Sequence, residues 1–352
     1  MLQRAGAWVW RLNRIGNGHS DAVELAQSLD ISRLYVKLSD GRSRYKSNLK
    51  LAEKLVPAAK DAGIEVGGWS YNYDHHPDAQ GKLLGDLCQN LGIRNAILNC
   101  EKEFQDGGDD DVTLRALIES TREYLPRHST IGVSSFKYPR YFPKFPWHVL
   151  TGSGVLAMPQ NYFYKKEADG HRKVRKSLAQ WSALGAPVQF SLGGFDRTWS
   201  KKKGGYVAGN TADGIYGATQ EVRYLAGTGG CLPSYDWWKL GSLWHAKTGF
   251  KDAVLAANLG LRNTCMPAKI VYRCPLTDSW YQKAALLRLG YYSGFLSGGW
   301  GPLRDRRNEG TARYALVRLQ QDSDAYDSKI DGVWGPKSHQ AVLHELTKRE
   351  LP

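Results

Sequence analysis

From residue 6 to about residue 240 a short apolar run and an amphipathic stretch of helical period follow one another eight times. This alternation is the pattern of parallel strands joined by crossover helices, and it constrains the fold more than any other feature of the chain. The apolar runs are Ala7 to Leu12, Arg33 to Leu38, Glu65 to Tyr71, Asn95 to Asn99, Thr130 to Ser135, Val155 to Gln160, Val188 to Leu192 and Leu232 to Trp237. Between them lie Ser20 to Leu29, with Ser20 as its N-cap, and Asn48 to Ala62, closed by Gly63. Asp78 to Leu91, Asp111 to Leu125, Arg172 to Leu184 and Thr211 to Ala226 continue the series. Eight such units predict an α/β fold of the TIM type, a (β/α)8 barrel over residues 1–245. A doubly wound open sheet is the alternative, but no GxGxxG follows the first strand. Residues 196–210, rich in Lys and Gly, read as a mobile loop after strand seven, on the face where barrel active sites form.

The rest of the chain has a different texture. Residues 246–275 read as a linker with helical pieces, and residues 276–352 as short helices separated by Gly-rich turns. Within the latter, Gly299-Trp300-Gly301-Pro302 recurs as Val333-Trp334-Gly335-Pro336. Asp331-Gly332 suits a turn that needs positive φ, and Pro336 can open a helix where its missing N–H costs nothing. The stretches LRLGYYSGFLSGGWGP and YDSKIDGVWGPKSHQAV resemble the repeated core of the peptidoglycan-binding domain family of three-helix modules. The first copy departs from it, with Gly299 in place of Asp and an inserted Arg304 to Asn308. The resemblance implies a small all-α module with Tyr291, Tyr292, Trp300, Asp331 and Trp334 as cell-wall-binding residues.

In the barrel, the segment Asn95-Ala-Ile-Leu-Asn-Cys-Glu-Lys-Glu-Phe104 ends an apolar strand in two glutamates. If the strand continues that far, period two puts Glu101 and Glu103 on one side, in the barrel mouth. Glycoside hydrolysis needs a proton donor at such a place. Ser-Tyr-Asp-Trp-Trp at the end of strand eight offers Asp236 as a further carboxylate, or else as the holder of Lys37 or of an indole. Aromatic and amide residues at other strand ends suit a saccharide cleft. They are Trp10, Trp69, Tyr71, Tyr73, Gln160, Asn161, Tyr162, Trp237 and Trp238, with Lys37 beside them.

AGAWVWR, LYVKLSDG, GGWSYNY and ILNCEKEF together resemble the start of glycoside-hydrolase-like (β/α)8 barrels from bacteria and phages. In lysozyme-type barrels the strand-four Asp-x-Glu supplies the general acid, which carries over to Glu101. Asn99 stands where those barrels have Asp, and strand one offers Trp8, Trp10 and Arg11 instead of an acid. Barrel and module together resemble phage endolysins. The resemblance implies a lysozyme-like enzyme that cuts the glycan strands of bacterial peptidoglycan. A wall-binding or virion structural protein with a barrel that has lost turnover is the competing expectation.

Charge and composition narrow the partners. Forty-eight Lys and Arg against 34 Asp and Glu give +14, which favours a polyanionic surface such as the bacterial envelope. No nucleic-acid-binding signature accompanies the charge, and no 18-residue apolar stretch suggests membrane insertion. The start MLQRAGAWVWRLNR has no apolar signal region, so synthesis in a host cytoplasm and action at the wall, as a monomer, are expected. Cys88, Cys100, Cys231, Cys265 and Cys274 are odd in number without CxxC spacing, and Cys100 reads as a core residue. Asp74-His75-His76 lacks metal-site spacing, and no GxSxG elbow occurs, so neither metal nor cofactor is expected.

Overall fold

The computed structural model describes residues 5–105, 110–150, 153–185, 187–200, 202–227, 234–262, 279–289, 291, 312–328 and 330–350. Eight parallel strands close into a barrel. They are β1 (Ala5–Val9), β2 (Ile31–Asp40), β3 (Glu65–Asn72), β4 (Asn95–Cys100), β5 (Thr130–Ser135), β6 (Leu156–Asn161), β7 (Phe190–Gly193) and β8 (Tyr235–Trp238). Each pairs with the next, and β8 returns to β1 with Gly6 opposite Asp236. The expected (β/α)8 barrel is the observed fold, with strand ends within three residues of those expected.

Helices α1 (His19–Ser28), α2 (Lys46–Asp61), α3 (Pro77–Asn90), α4 (Asp110–Tyr124), the short α5 (Trp147–Leu150), α6 (Glu167–Ala183) and α7 (Ala212–Gly227) cross between strands. Gly63, just past α2, has φ +69°, the left-handed stop its sequence position suggests. Ser20 is not the cap of α1: the helix starts one residue earlier, and Gly18 occupies the N-cap position without any side-chain cap bond.

Two core layers follow from the strand alternation. Ala7, Val9, Leu34, Val36, Ala96 and Leu98 face the helices, while Trp8, Tyr35, Trp69, Ile97 and Met158 fill the barrel interior. Interior glycines make room for these large groups. A Cβ on Gly132 would meet Met158 Sδ at 2.7 Å, and one on Gly67 would overlap the Tyr35 ring. Cys100 is fully buried, as expected.

The linker expected from residue 246 holds the helix that completes the barrel. After α8 (Leu240–Trp244), α9 (Thr248–Arg262) packs Phe250, Val254 and Ala257 into the main core. Asn258 on α9 accepts from the Tyr235 hydroxyl (3.1 Å) and the Trp237 indole (2.9 Å) and donates to Leu29 O (2.6 Å). The expected loop at 196–210 is an antiparallel ribbon, Arg197–Ser200 against Gly205–Ala208.

In the C-terminal stretch, α10 (Ser279–Arg288), α11 (Ala312–Asp322) and α12 (Pro336–Glu350) share a small core of Ala285, Leu286, Leu289, Ala315, Leu316, Leu319, Ala341 and Val342. Tyr291, Tyr326 and Trp334 pack against it. The turn chemistry is as the sequence suggests: Gly332 has φ +65° and Pro336 is the first residue of α12. Gln320 Oε1 accepts from Asp331 N (3.2 Å) and Gly332 N (2.9 Å), and Asp331 Oδ1 accepts from Val333 N (2.8 Å). Tyr292 and Trp300, named above as wall-binding residues, lie outside the described residues.

Candidate functional site

Parallel strands put all eight C-terminal ends at one rim, and Asn48 helps fix two of them. Buried at the start of α2, it accepts from Leu12 N (2.9 Å) and donates to Trp10 O and Lys37 O (3.0 Å each). The β1 and β2 exits are thus tied to one amide.

Strand β4 stops at Cys100, so Glu101 and Glu103 do not share a face by strand continuation. A single 3-10 turn, Lys102–Phe104, follows instead, anchored by the fully buried Phe104 ring. Both glutamates are half-buried at the rim. Glu101 Oε1 accepts from Asn99 Nδ2 (3.0 Å) and from Gln160 Nε2 at the end of β6 (2.9 Å), and Gln160 Nε2 also donates to Asn99 Oδ1 (2.8 Å). Glu103 accepts from the Tyr71 hydroxyl, 3.0 Å from each carboxylate oxygen. Burial, with the charges of Glu101 and Glu103 next, pushes the Tyr71 phenol well up, so it stays a donor.

A second chain of contacts continues from Tyr71. Its ring meets Tyr73 edge-on at 5.3 Å, the Tyr73 hydroxyl donates to Asp40 Oδ1 (2.9 Å), and Lys37 Nζ donates to Asp40 Oδ2 (2.6 Å). Burial and the bond to Asp40 raise the Tyr73 phenol to about 12. The Lys37 ammonium lies among four rings, Tyr45 (4.8 Å), Trp69 (5.1 Å), Tyr71 (5.8 Å) and Trp10 (5.9 Å). Cation–π attraction and the Asp40 carboxylate offset the desolvation of that amine.

Trp238, of the pair Trp237-Trp238, is the centre of an aromatic platform. Trp10 stacks on it at 6.2 Å and 29°, Tyr162 at 6.0 Å and 21°, and Trp8 and Trp69 meet it edge-on. Trp10, Tyr162 and Trp238 all keep partial exposure. Burial, then the Glu101 charge, drives the Tyr162 phenol well up.

Several candidates from the sequence lie elsewhere. Asp236 is fully buried, with Oδ1 3.2 Å from Arg33 Nη2 and Oδ2 accepting from Gln189 Nε2. Its register partners are Gly6 near the start of β1 and Ser191. It therefore closes the barrel floor away from the mouth, and the acid it was expected to supply is not in the cleft. Trp237 faces outward to Asn258 and is no part of the cleft wall. Trp69 and Lys37 are only 2% and 4% exposed, so they support the floor from beneath. Tyr71, Tyr73, Gln160, Tyr162 and Trp10 do gather at the rim with Glu101 and Glu103. Asn161 is buried and its amide donates to Lys173 O (3.4 Å), behind the cleft.

Sequence reasoning missed Asp40 and Tyr45. The register of β2 against β3 shifts between Lys37 and Ser39. This bulge lets Lys37 and Asp40, three apart, reach one another on the same side, against the alternation of a regular strand. His75 and Asp74 form an exposed pair at 3.2 Å, and among the described residues no group of His, Cys, Asp and Glu could hold a metal ion.

A scan against protein-family models gives no match, and a search of curated protein sequences gives none either. Solved structures do match the fold. A glycoside hydrolase family 18 chitinase from Pseudoalteromonas aurantia is similar over 72% of this chain and 99% of its own, at 12% identity and a TM-score of 0.50. A family 18 N-acetylglucosaminidase from Paenibacillus barengoltzii covers the same shares at 11% identity and a TM-score of 0.50. A family 39 glycoside hydrolase from Bacteroides cellulosilyticus WH2 matches 74% of this chain and 65% of its own, at 12% identity and a TM-score of 0.53. At these identities the likeness establishes a TIM-type barrel.

Proposed function

We propose that the barrel hydrolyses glycosidic bonds of a bacterial wall glycan, with Glu101 as proton donor and the Trp10–Trp238–Tyr162 platform as the sugar-stacking surface. The observation that carries this reading is the Glu101 carboxyl at the exit of β4, its Oε1 held by two amides, beside that half-exposed platform. With Oε1 acting as acceptor for Asn99 and Gln160, the proton belongs on Oε2, from which it passes to the leaving oxygen as the C–O bond breaks. Water supplies the oxygen that joins the anomeric carbon, and the proton it loses passes to a cleft carboxylate and restores the acid form of Glu101. Glu103, fixed by Tyr71, is the second carboxylate of the cleft and faces the positive charge that develops there. Aromatic faces meet the apolar faces of pyranose rings. Barrels of the same architecture carry a chitinase and an N-acetylglucosaminidase, which supports a glycan substrate.

The finer reading is an endolysin-type, lysozyme-like enzyme of phage origin, acting as a monomer. Residues 276–352 would hold it on peptidoglycan through Tyr291, Tyr292, Trp300, Asp331 and Trp334, and the +14 charge would favour the anionic wall. A zymogram on purified peptidoglycan, with reducing ends counted in solution, tests it. Wild type clears the gel, and Glu101→Gln, equally folded, is slower by about 10²–10⁴-fold. If wild type releases no reducing ends, the barrel is a saccharide binder without turnover; Asn99, in place of an acid beside Glu101, is the feature that favours that second reading.

A further inference from the structure

Past β5 the chain turns through Phe136, Lys137 and Tyr138 into the rim beside the platform. Lys137 is half-buried; its Nζ donates to Tyr162 O (3.3 Å) and lies 5.0 Å from the Tyr138 ring centre. A second ammonium, Lys176 on α6, lies 4.9 Å from the same ring and donates to the Tyr141 hydroxyl (2.7 Å). Lys173, one turn earlier on α6, donates to Phe163 O (2.6 Å), and Arg172 stands beside it. Asp169 pairs with two of them, 2.8 Å from Arg172 and 3.9 Å from Lys173.

Two of these cations pair with one carboxylate, and Lys137, beside the platform loop, feels the charges of the other three. Like charges so placed repel, and a fold keeps them together at a cost that an incoming anion would offset. The cluster also grips the loop that carries the platform, since Lys137 and Lys173 bond the carbonyls of Tyr162 and Phe163. Burial, then Lys173, Arg172 and Lys176, against Asp169, bring the Lys137 amine down to about 8. That amine is the member of the cluster most in need of a counter-charge.

We propose that Lys137, with Arg172, Lys173 and Lys176, forms an anion subsite for a carboxylate carried by the glycan on the platform, so that the substrate is an acidic glycan and not a neutral one. This rests on the reading of the cleft as a glycan site. Arg172 and Lys176 contribute charge, whereas Lys137 and Lys173 reach the loop of the platform itself.

The test uses full-length Glu101→Gln protein, so that nothing is consumed. The probes are a wall disaccharide with its free lactyl carboxylate and the same disaccharide with that carboxylate amidated, titrated calorimetrically. The acid should bind about tenfold tighter than the amide, as one charge-assisted hydrogen bond provides. Adding Lys137→Met should bring that ratio near one, whatever the variant does to the affinity of both probes alike. The preference should also fade as pH rises through about 8. Equal binding of acid and amide by the parent protein overturns the subsite and leaves the cleft intact. So does a ratio that survives both Lys137→Met and Lys176→Met. Failure of both probes to bind at all removes the glycan cleft, and the subsite with it.

Discussion

Asp236→Asn changes one atom and no volume, yet it should cost the barrel much of its stability and none of its chemistry. Asp236 is fully buried, and the Arg33 side chain is 14% exposed. The guanidinium donates to Asp236 Oδ1 and to Ser234 Oγ, and Gln189 donates to Oδ2. Burial raises the Asp236 carboxyl above its usual range, although Arg33 and Gln189 both favour its charge. Removing that charge leaves Arg33 with a neutral amide and a hydroxyl in place of a counter-ion. Breaking one side of a buried pair typically costs about 3–5 kcal/mol. At about 2–4 °C per kcal/mol for a domain of this size, the midpoint should fall by about 6–20 °C. The double variant Arg33→Met with Asp236→Leu should recover most of the loss, because no charge is then left unpaired. The assay is thermal unfolding at neutral pH, beside the rate of reducing-end release from peptidoglycan well below either midpoint. Melting of Asp236→Asn with wild type would refute this role, as would a folded variant without turnover, which would return Asp236 to the proposed catalytic mouth.

Two other outcomes follow from the geometry. Gly332→Ala should lower the stability of the C-terminal helices by about 1–3 kcal/mol. The residue has φ +65°, and a Cβ would stand 2.9 Å from Arg313 Cγ and 3.0 Å from Val317 Cγ2; chemical unfolding followed by Trp fluorescence reads the loss. Lys137 titrates near 8 when folded and near 10.5 when unfolded, so between those values the unfolded chain binds more protons and stability should rise with pH. The raised phenols of Tyr71, Tyr73 and Tyr162 act in the opposite sense toward the top of that interval, so the reading is a difference: the urea midpoint of wild type relative to Lys137→Met should climb with pH.

The barrel was legible because it is written in repetition. Each strand supplies a short apolar run and each helix a longer amphipathic one, and eight copies compensate for uncertainty in any one. What escaped were features decided by single residues. Ser20 has the right chemistry for an N-cap, but the left-handed region at Gly18 (φ +85°) starts α1 one residue before it. The polar, Gly-rich 196–210 carries no hydrophobic alternation, so its ribbon is a matter of backbone pairing that composition does not record. Helix α9 looks like linker because it follows the last strand, and its place becomes evident only through Asn258, which bonds to Leu29 far away in sequence.

The site depends on parity, and parity explains its corrections. A strand sends successive side chains to opposite faces, so an error of one residue exchanges core for cleft. Trp237 and Trp238 are chemically interchangeable in the sequence; the register of β8 against β1, with Trp8 opposite Trp238, sends the second inward and the first to Asn258. The same register places Asp236 on the inner side, but two residues deeper, where it meets Arg33 instead of solvent. Asp40 shows the converse case. Counted from Lys37 along a regular strand it belongs on the other face, and only the bulge between Lys37 and Ser39 brings its carboxylate to the ammonium. Glu101 needed no such correction because it stands at the first position after β4, where its bonds to Asn99 and Gln160 fix it at the rim. Residue chemistry alone could therefore nominate carboxylates and rings, while the register of each strand decided which of them share one cleft.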